Sequence, residues 1–232
     1  MSTRLPGKVL KEIIDGKSIL ELILERLSNV KSSDKLIIAT SRNQADNKIE
    51  ELLKKKKYEV FRGSENNVLE RFYKAAKQWD LDVIARCNAD CPLIDPSIVE
   101  LVIDNFLKND IDYCSNILRP SYPVGMHTEV FSFEALKKAK NQARDPLELE
   151  HVTPFIYRNP ELFKLMNVSN KDNLSKYRLT LVYQEDLLLI KEVFSNFYKK
   201  DKNFSVFDVV NFLKENPKIY EINSHISKDG TV

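Results

Sequence analysis

Glycine is scarce in this chain. Five glycines among 232 residues fall well below the usual share of about 7%, and no Gly/Ser-rich tract interrupts the sequence. A flexible linker between two domains has no sequence to be made from. A single domain spanning 1–232 is therefore expected, long enough to bury a large core. Cysteine is scarce too. Cys87, Cys91 and Cys114 form an odd set without a Cys-x-x-Cys pair, which excludes a disulfide framework and the usual zinc spacings. Cys87 falls in a β-like run and reads as a small buried hydrophobe. His127, His151 and His225 are far apart in sequence and show no ligand spacing, so a metal here would be held by oxygen ligands.

An excess of charge of one sign is also missing. Lys plus Arg is 36 against 34 for Asp plus Glu, a net charge of +2. Bulk electrostatics thus give no case for a nucleic-acid or membrane-surface partner. No apolar run approaches the roughly 18–20 residues of a membrane span, and no signal-like segment opens the sequence. A cytoplasmic protein is expected. What the chain does have is a globular balance, 43% hydrophobic and 30% charged, which excludes disorder.

Periodicity supplies the elements. "KSILELILERLSNV" repeats apolar residues at helical spacing, with Ser18 and Glu21 as a capping box. "KLIIA" (35–39) reads as a buried strand, "DNKIEELLKKKK" as a helix with a lysine-rich, dipole-compatible end, "YEVF" (58–61) as a strand, and 67–79 as a helix. "DVIAR" (82–86) is a continuous apolar strand, and Asp95-Pro96 opens the next helix as N-cap and N1. A strand follows at 111–115. Strands alternating with helices of this length predict βαβ units and a mostly parallel sheet covered on both faces. The second half is less regular. "HTEVFSF" (127–133) alternates like a half-exposed strand, 177–182 reads as a strand, and a helix capped by Ser205 closes the fold. The segment 117–176 is a candidate extension for packing against a second subunit.

In an open α/β sheet, ligands bind beyond the carboxyl ends of the strands. Three polar segments are expected there. Ser2, Thr3, Arg4, Gly7 and Lys8 sit in one loop, "STRLPGK", whose hydroxyls, N–H groups and two cations suit a polyphosphate. A frayed polar terminus is the other reading. "RGSENNVLER" (62–71) offers Arg62 and Ser64 beside a helix start, fit for an anion or a nucleobase edge; Arg71 reads equally as a surface charge. In "RCNADCPLIDP", Asp90 lies just past a buried strand. A lone carboxylate there suits Mg²⁺ completed by phosphate oxygens and waters, or simply makes a turn.

Taken in order, "STRLPGKVL", "FRGSENNVLERFYKAAK", "DCPLIDPSIVE", "EVFSFEAL", "EHVTPFIYRNPELF" and "RLTL…EDLLLI" resemble the sugar-acid cytidylyltransferases, in particular the branch of spore-coat and surface polysaccharide synthesis. The match runs across nearly the whole chain. The resemblance implies a Rossmann-like three-layer α/β/α nucleotidyltransferase fold and a homodimer. The implied reaction transfers CMP from CTP to a sugar acid, with Mg²⁺ as cofactor and pyrophosphate as the other product. It also implies roles. Arg4 and Lys8 hold the triphosphate, Arg62 and Ser64 help place the nucleotide, and Asp90 binds Mg²⁺.

The chain departs from that pattern in three places. Relatives carry a strand ending in a Gln-Ala-Arg-like segment ahead of the loop, so a sheet lacking its first strand is expected, with one phosphate-binding arginine fewer. Relatives carry an Asp where this chain has Val182, and Glu185 and Asp186 are not assumed to replace it. Val124 and His127 stand where relatives often have acids near the sugar pocket. Two expectations follow: a natural start upstream of Met1, or a member that binds nucleotide or sugar without catalysis. A glycosyltransferase of similar architecture is the remaining alternative.

Overall fold

The computed structural model describes residues 5 and 7–226. A 3-10 turn at Lys8–Leu10 leads to a small antiparallel hairpin, β1 (Glu12–Ile14) and β2 (Lys17–Ser18). α1 (Ile19–Leu27) then starts with both halves of its capping box in place: Ser18 Oγ accepts from Glu21 N, and Ser18 N donates to the Glu21 carboxylate. β3 (Ile37–Ser41), α2 (Asn47–Lys55), β4 (Glu59–Gly63), α3 (Val68–Gln78), β5 (Val83–Cys87) and α4 (Pro96–Lys108) alternate as the periodicity predicts. Asp95 caps α4 by accepting Ser97 N at 2.9 Å, and its second oxygen accepts Val206 N at 2.7 Å. The rest comprises β6 (Tyr113–Ser115), β7 (Thr128–Ser132), α5 (Phe133–Gln142), α6 (Pro146–His151), α7 (Pro154–Arg158), β8 (Leu165–Asn167), α8 (Gln184–Phe197), α9 (Val206–Glu215) and α10 (Pro217–Tyr220).

The middle layer contains two sheets. β3 and β4 pair in parallel, from Ile37 opposite Glu59 to Ser41 opposite Gly63. The larger sheet has the order β5-β7-β6-β8, with β8 parallel to β6 and β7 antiparallel to both its neighbours. Side chains alternate between the faces of a strand. Ile84, Tyr113 and Phe131 therefore enter one apolar layer with residues of α3, α5 and α7, while Cys114 and Val130 enter the other with α1, α4, α8 and α9. Helix α1 serves both sheets. Ile19, Leu22 and Ile23 join the large core, and Leu20 and Leu24 pack with Leu53 against Ile38 and Val60. The result is a three-layer α/β/α arrangement.

The structure corrects several expectations. β7 is buried from Thr128 to Phe131 rather than half-exposed, because it lies inside the sheet with helices on both sides. Its polar alternation is met by internal partners. Residues 177–182 form no ladder. They make a single parallel bridge, Val124 to Arg178, and are buried as an extended segment. "KLIIA" is half-buried, and Ala85 in "DVIAR" is exposed. Among the described residues, neither β3 nor β5 has a strand on its outer edge. The segment 117–176 supplies β7 to the middle of the sheet, and α5 and α7 to one core layer. α10 follows the helix expected to be last.

Candidate active site

Residues from three distant parts of the chain meet beyond β5. Gly7 adopts φ 64, a left-handed conformation that suits glycine, and starts the turn carrying Lys8. Lys8 Nζ donates to Asp90 Oδ2 at 2.9 Å and to the Leu181 carbonyl at 2.8 Å. Asp90 is held from behind. Its carbonyl accepts Leu181 N at 2.7 Å and Thr180 Oγ1 at 3.1 Å. The Lys8 and Asp90 side chains retain 16% and 31% exposure, so the pair faces solvent while its supports are buried. Leu5, 7% exposed, anchors the loop in the large core. Ser2, Thr3 and Arg4 lie outside the described residues.

The 178–183 segment owes its position to Asp186, whose carboxylate is fully buried. Oδ1 accepts Arg178 Nε at 2.8 Å and Asn223 Nδ2 at 2.9 Å. Oδ2 accepts Val182 N, Tyr183 N and Arg178 Nη2 at 2.8, 2.9 and 3.1 Å. With every lone pair engaged, Asp186 supplies no metal ligand. Val182 is itself buried at 7%. Sequence reasoning left Asp186 without a role. The signal for one was its place three residues into α8, where a carboxylate can reach back to free N–H groups.

The 62–71 segment sits at the same edge, after β4. Arg62 is a strut here. Nη2 donates to the Asn43 carbonyl at 2.9 Å and to Asn47 Oδ1 at 3.1 Å, while Nε and Nη1 engage the Ser41 carbonyl and Glu50. Each of the three nitrogens has a protein partner, and of the five N–H donors only one, on Nη1, is unused. Ser64 Oγ accepts Asn67 N at 3.0 Å, and Asn67 caps α3. A cleft of about 260 Å³ opens beside Ser64, with Arg42, Asn43, Glu70 and Lys74 among its walls. Arg71 is half-buried, not a plain surface charge. It donates from Nη1 to the Ser64 carbonyl at 2.8 Å, and its buried Nε has no partner. Burial pushes its pKa down, and neighbouring Arg86 adds to the effect. Gly63 makes room for this stem, since a Cβ there would lie 2.6 Å from Arg71 Cγ.

Burial also acts on the cysteines and on His127. Burial pushes the Cys87 thiol up to about 12 and Cys114 up to about 11, which disfavours the thiolate form. His127 is pushed down by burial, against the pull of Glu129 and Asp90. No group of three or more His, Cys, Asp or Glu fit to hold a metal occurs among the described residues. The donor set fits a Mg²⁺ brought in with phosphates, where one protein carboxylate suffices, and does not fit an ion caged by protein alone.

Comparison with known proteins gives this edge its context. The cytidylyltransferase family model matches residues 1–222. The spore coat polysaccharide biosynthesis protein SpsF of Bacillus subtilis is 31% identical over 223 residues, 93% of this chain and 91% of that protein. The solved structure of a cytidylyltransferase from Leptospira borgpetersenii is 38% identical with a TM-score of 0.89, covering 94% of this chain and 92% of that one. A CMP:2-keto-3-deoxy-manno-octonic acid synthetase solved with CTP shares the fold at a TM-score of 0.63 and 13% identity, over 84% of this chain and 94% of that one. A mixed, mostly parallel α/β sheet that brings a lysine loop and a lone aspartate together at its carboxyl edge is thus a nucleotidyltransferase, and the chain belongs to the cytidylyltransferase family.

Proposed function

We propose that the protein transfers CMP from CTP to a sugar acid, releasing pyrophosphate, in the synthesis of a surface polysaccharide, and that it works in the cytoplasm as a homodimer with Mg²⁺. The carrying observation is the Lys8–Asp90 pair, two residues 82 apart in sequence and 2.9 Å apart in space at the carboxyl edge. An acceptor hydroxyl attacks the α-phosphorus of CTP, and its proton is released to water. A new P–O bond forms there as the bond to the β-phosphate oxygen breaks, and the pyrophosphate leaves with that oxygen. Such transfers need positioning and charge neutralisation more than covalent help from the protein.

Each residue has a part in this. Lys8 is held by Leu181 and Asp90 so that its ammonium meets the phosphate oxygens already oriented. Asp90 would hold the Mg²⁺, which when bound neutralises charge shared between phosphate oxygens. The family resemblance adds Arg4 and the Ser2 and Thr3 hydroxyls, which lie outside the described residues, as further ligands for the triphosphate. Ser64 lines the nucleotide side, and Arg62 shapes the 41–43 turn that borders the cleft.

Calorimetry with each nucleoside triphosphate, with and without Mg²⁺, tests this reading. Selective CTP binding, strengthened by Mg²⁺ and weakened at least tenfold by Lys8→Ala, is expected. In Asp90→Asn the Mg²⁺ enhancement should vanish while metal-free binding remains. A folded protein that binds no triphosphate would sink the reading. Pyrophosphate release with an acceptor panel separates catalysis from binding alone.

A further inference from the structure

The reaction above leaves a second charged assembly at this edge unused. In the antiparallel register of β5 and β7, Arg86 lies directly opposite Glu129, so both side chains leave the sheet on the face shared by Ile84, Tyr113 and Phe131. Glu129 is 2% exposed. Tyr113 Oη donates to its Oε1 at 2.8 Å, and Thr153 Oγ1 donates to the same oxygen. Arg86 Nη1 donates to Oε2. A carboxylate this deep is tolerated only when paired and hydrogen-bonded. Here the pairing fixes one corner of a guanidinium whose Nε and Nη2 make no hydrogen bond among the described residues. Arg71 is close enough for the two guanidiniums to repel one another, and its Nε is also unpartnered. His127, just ahead of β7 and two residues before Glu129, feels the charges of Glu129, Asp90 and Arg86 together. Arg86 stands near the carboxyl end of β5, and the turn that follows carries Asp90 to Lys8, so this assembly lies at the Lys8–Asp90 end of the strand.

We propose that Arg86, oriented by Glu129, recognises the carboxylate of the acceptor, with Arg71 facing it from α3. This rests on the sugar-acid reading above and names the group that selects the acid. Two free nitrogens of a planar fork match the two oxygens of a carboxylate. A multiply charged phosphate fits less well. Glu129 stands behind Arg86, and Asp46 and Glu65 act on Arg71 from the β3–β4 side, so three carboxylates oppose a large negative charge where a single one is accepted.

The test is a titration of the full 232-residue chain with pyruvate, followed through the arginine Nε–H resonances. Methyl pyruvate and inorganic phosphate serve as the neutral and multiply charged comparisons. The expected result is a saturable shift of the Arg86 and Arg71 signals with pyruvate and none with methyl pyruvate. In Arg86→Gln and Arg86→Lys the Arg71 response should weaken at least tenfold, while CTP affinity by calorimetry stays within twofold. No response to pyruvate, an equal response to methyl pyruvate or to phosphate, or an unchanged Arg71 response in Arg86→Lys would each overturn the proposal. CTP binding is read separately on the same samples, so failure of the cytidylyltransferase reading shows as lost CTP binding by the unaltered chain.

Discussion

Replacing Asp186 by Asn is the sharpest perturbation of this fold, because it keeps the side chain's shape and removes its charge. Five donors converge on that carboxylate: Arg178 through two nitrogens, Asn223, Val182 N and Tyr183 N, all at 2.8–3.1 Å. Asp186 is 0% exposed and Arg178 is 4% exposed, so water cannot stand in for the lost charge. Breaking one side of a buried ion pair costs about 3–5 kcal/mol. The asparagine amide adds to this by presenting a donor where only donors point inward. For a chain of this size each kcal/mol lowers the melting temperature by about 2–4 °C, so a drop of roughly 6–20 °C is expected. The assay is urea denaturation followed by circular dichroism, reading a shifted midpoint at unchanged slope. Glu185→Gln, one residue earlier and half-buried, is the control, expected within about 0.5 kcal/mol of the parent. A loss below about 1 kcal/mol in Asp186→Asn would refute the account. So would full stability with a looser Lys8, because the same carboxylate fixes both.

Two further outcomes follow from the same geometry. Gly125→Ala should cost at least about 1–3 kcal/mol, because φ is +105 and the new Cβ would lie 2.6 Å from the Leu179 carbonyl oxygen, which is backbone and has little freedom to yield; a thermal melt of the variant checks this. Asp46 gives a pH signature. Burial alone would push its carboxyl up, but hydrogen bonds from Ser41 and Thr40 outweigh that and hold it below the ordinary value. Its stabilising contribution is therefore complete above the unfolded carboxylate range near pH 4 and is lost as pH falls through the folded value. Asp46→Asn should flatten the acid limb of the stability curve, and parallel acid limbs for parent and variant would count against the assignment.

Much of the first half was legible because each signal there is local. The Ser18–Glu21 box, the Asp95-Pro96 start and the helical stripes of α2 and α3 each depend on residues within one or two turns. The failures share one cause. "HTEVFSF" alternates as a half-exposed strand should, yet Glu129 faces inward, because Tyr113 and Thr153, 16 and 24 residues away, supply its hydrogen bonds. Residues 177–182 are apolar and β-like, yet make one bridge instead of a ladder. Their backbone groups go to Asp90, Val124 and Asp186. In both places a side chain from elsewhere satisfies a polar group, and no window of sequence contains that side chain.

The same reasoning separates the parts of the site that sequence could reach from those it could not. Gly7, Lys8 and Asp90 are identifiable singly, as a left-handed turn, a nearby cation and a carboxylate past a strand. Lys8 is also held by a third partner, the Leu181 carbonyl, whose place depends on the buried Arg178–Asp186 pair that brackets it in the chain. Arg62 shows the converse. Its position after β4 suggested a ligand for the nucleotide, but Ser41, Asn43, Asn47 and Glu50 absorb its donors. Arg71, which reads equally as a surface charge, and Arg86, at the end of an apolar strand, each keep nitrogens without a hydrogen bond among the described residues. An arginine's availability to a ligand is set by what its own fold leaves unpaired. On that criterion Arg71 and Arg86 hold nitrogens without a partner among the described residues, whereas every nitrogen of Arg62 has one.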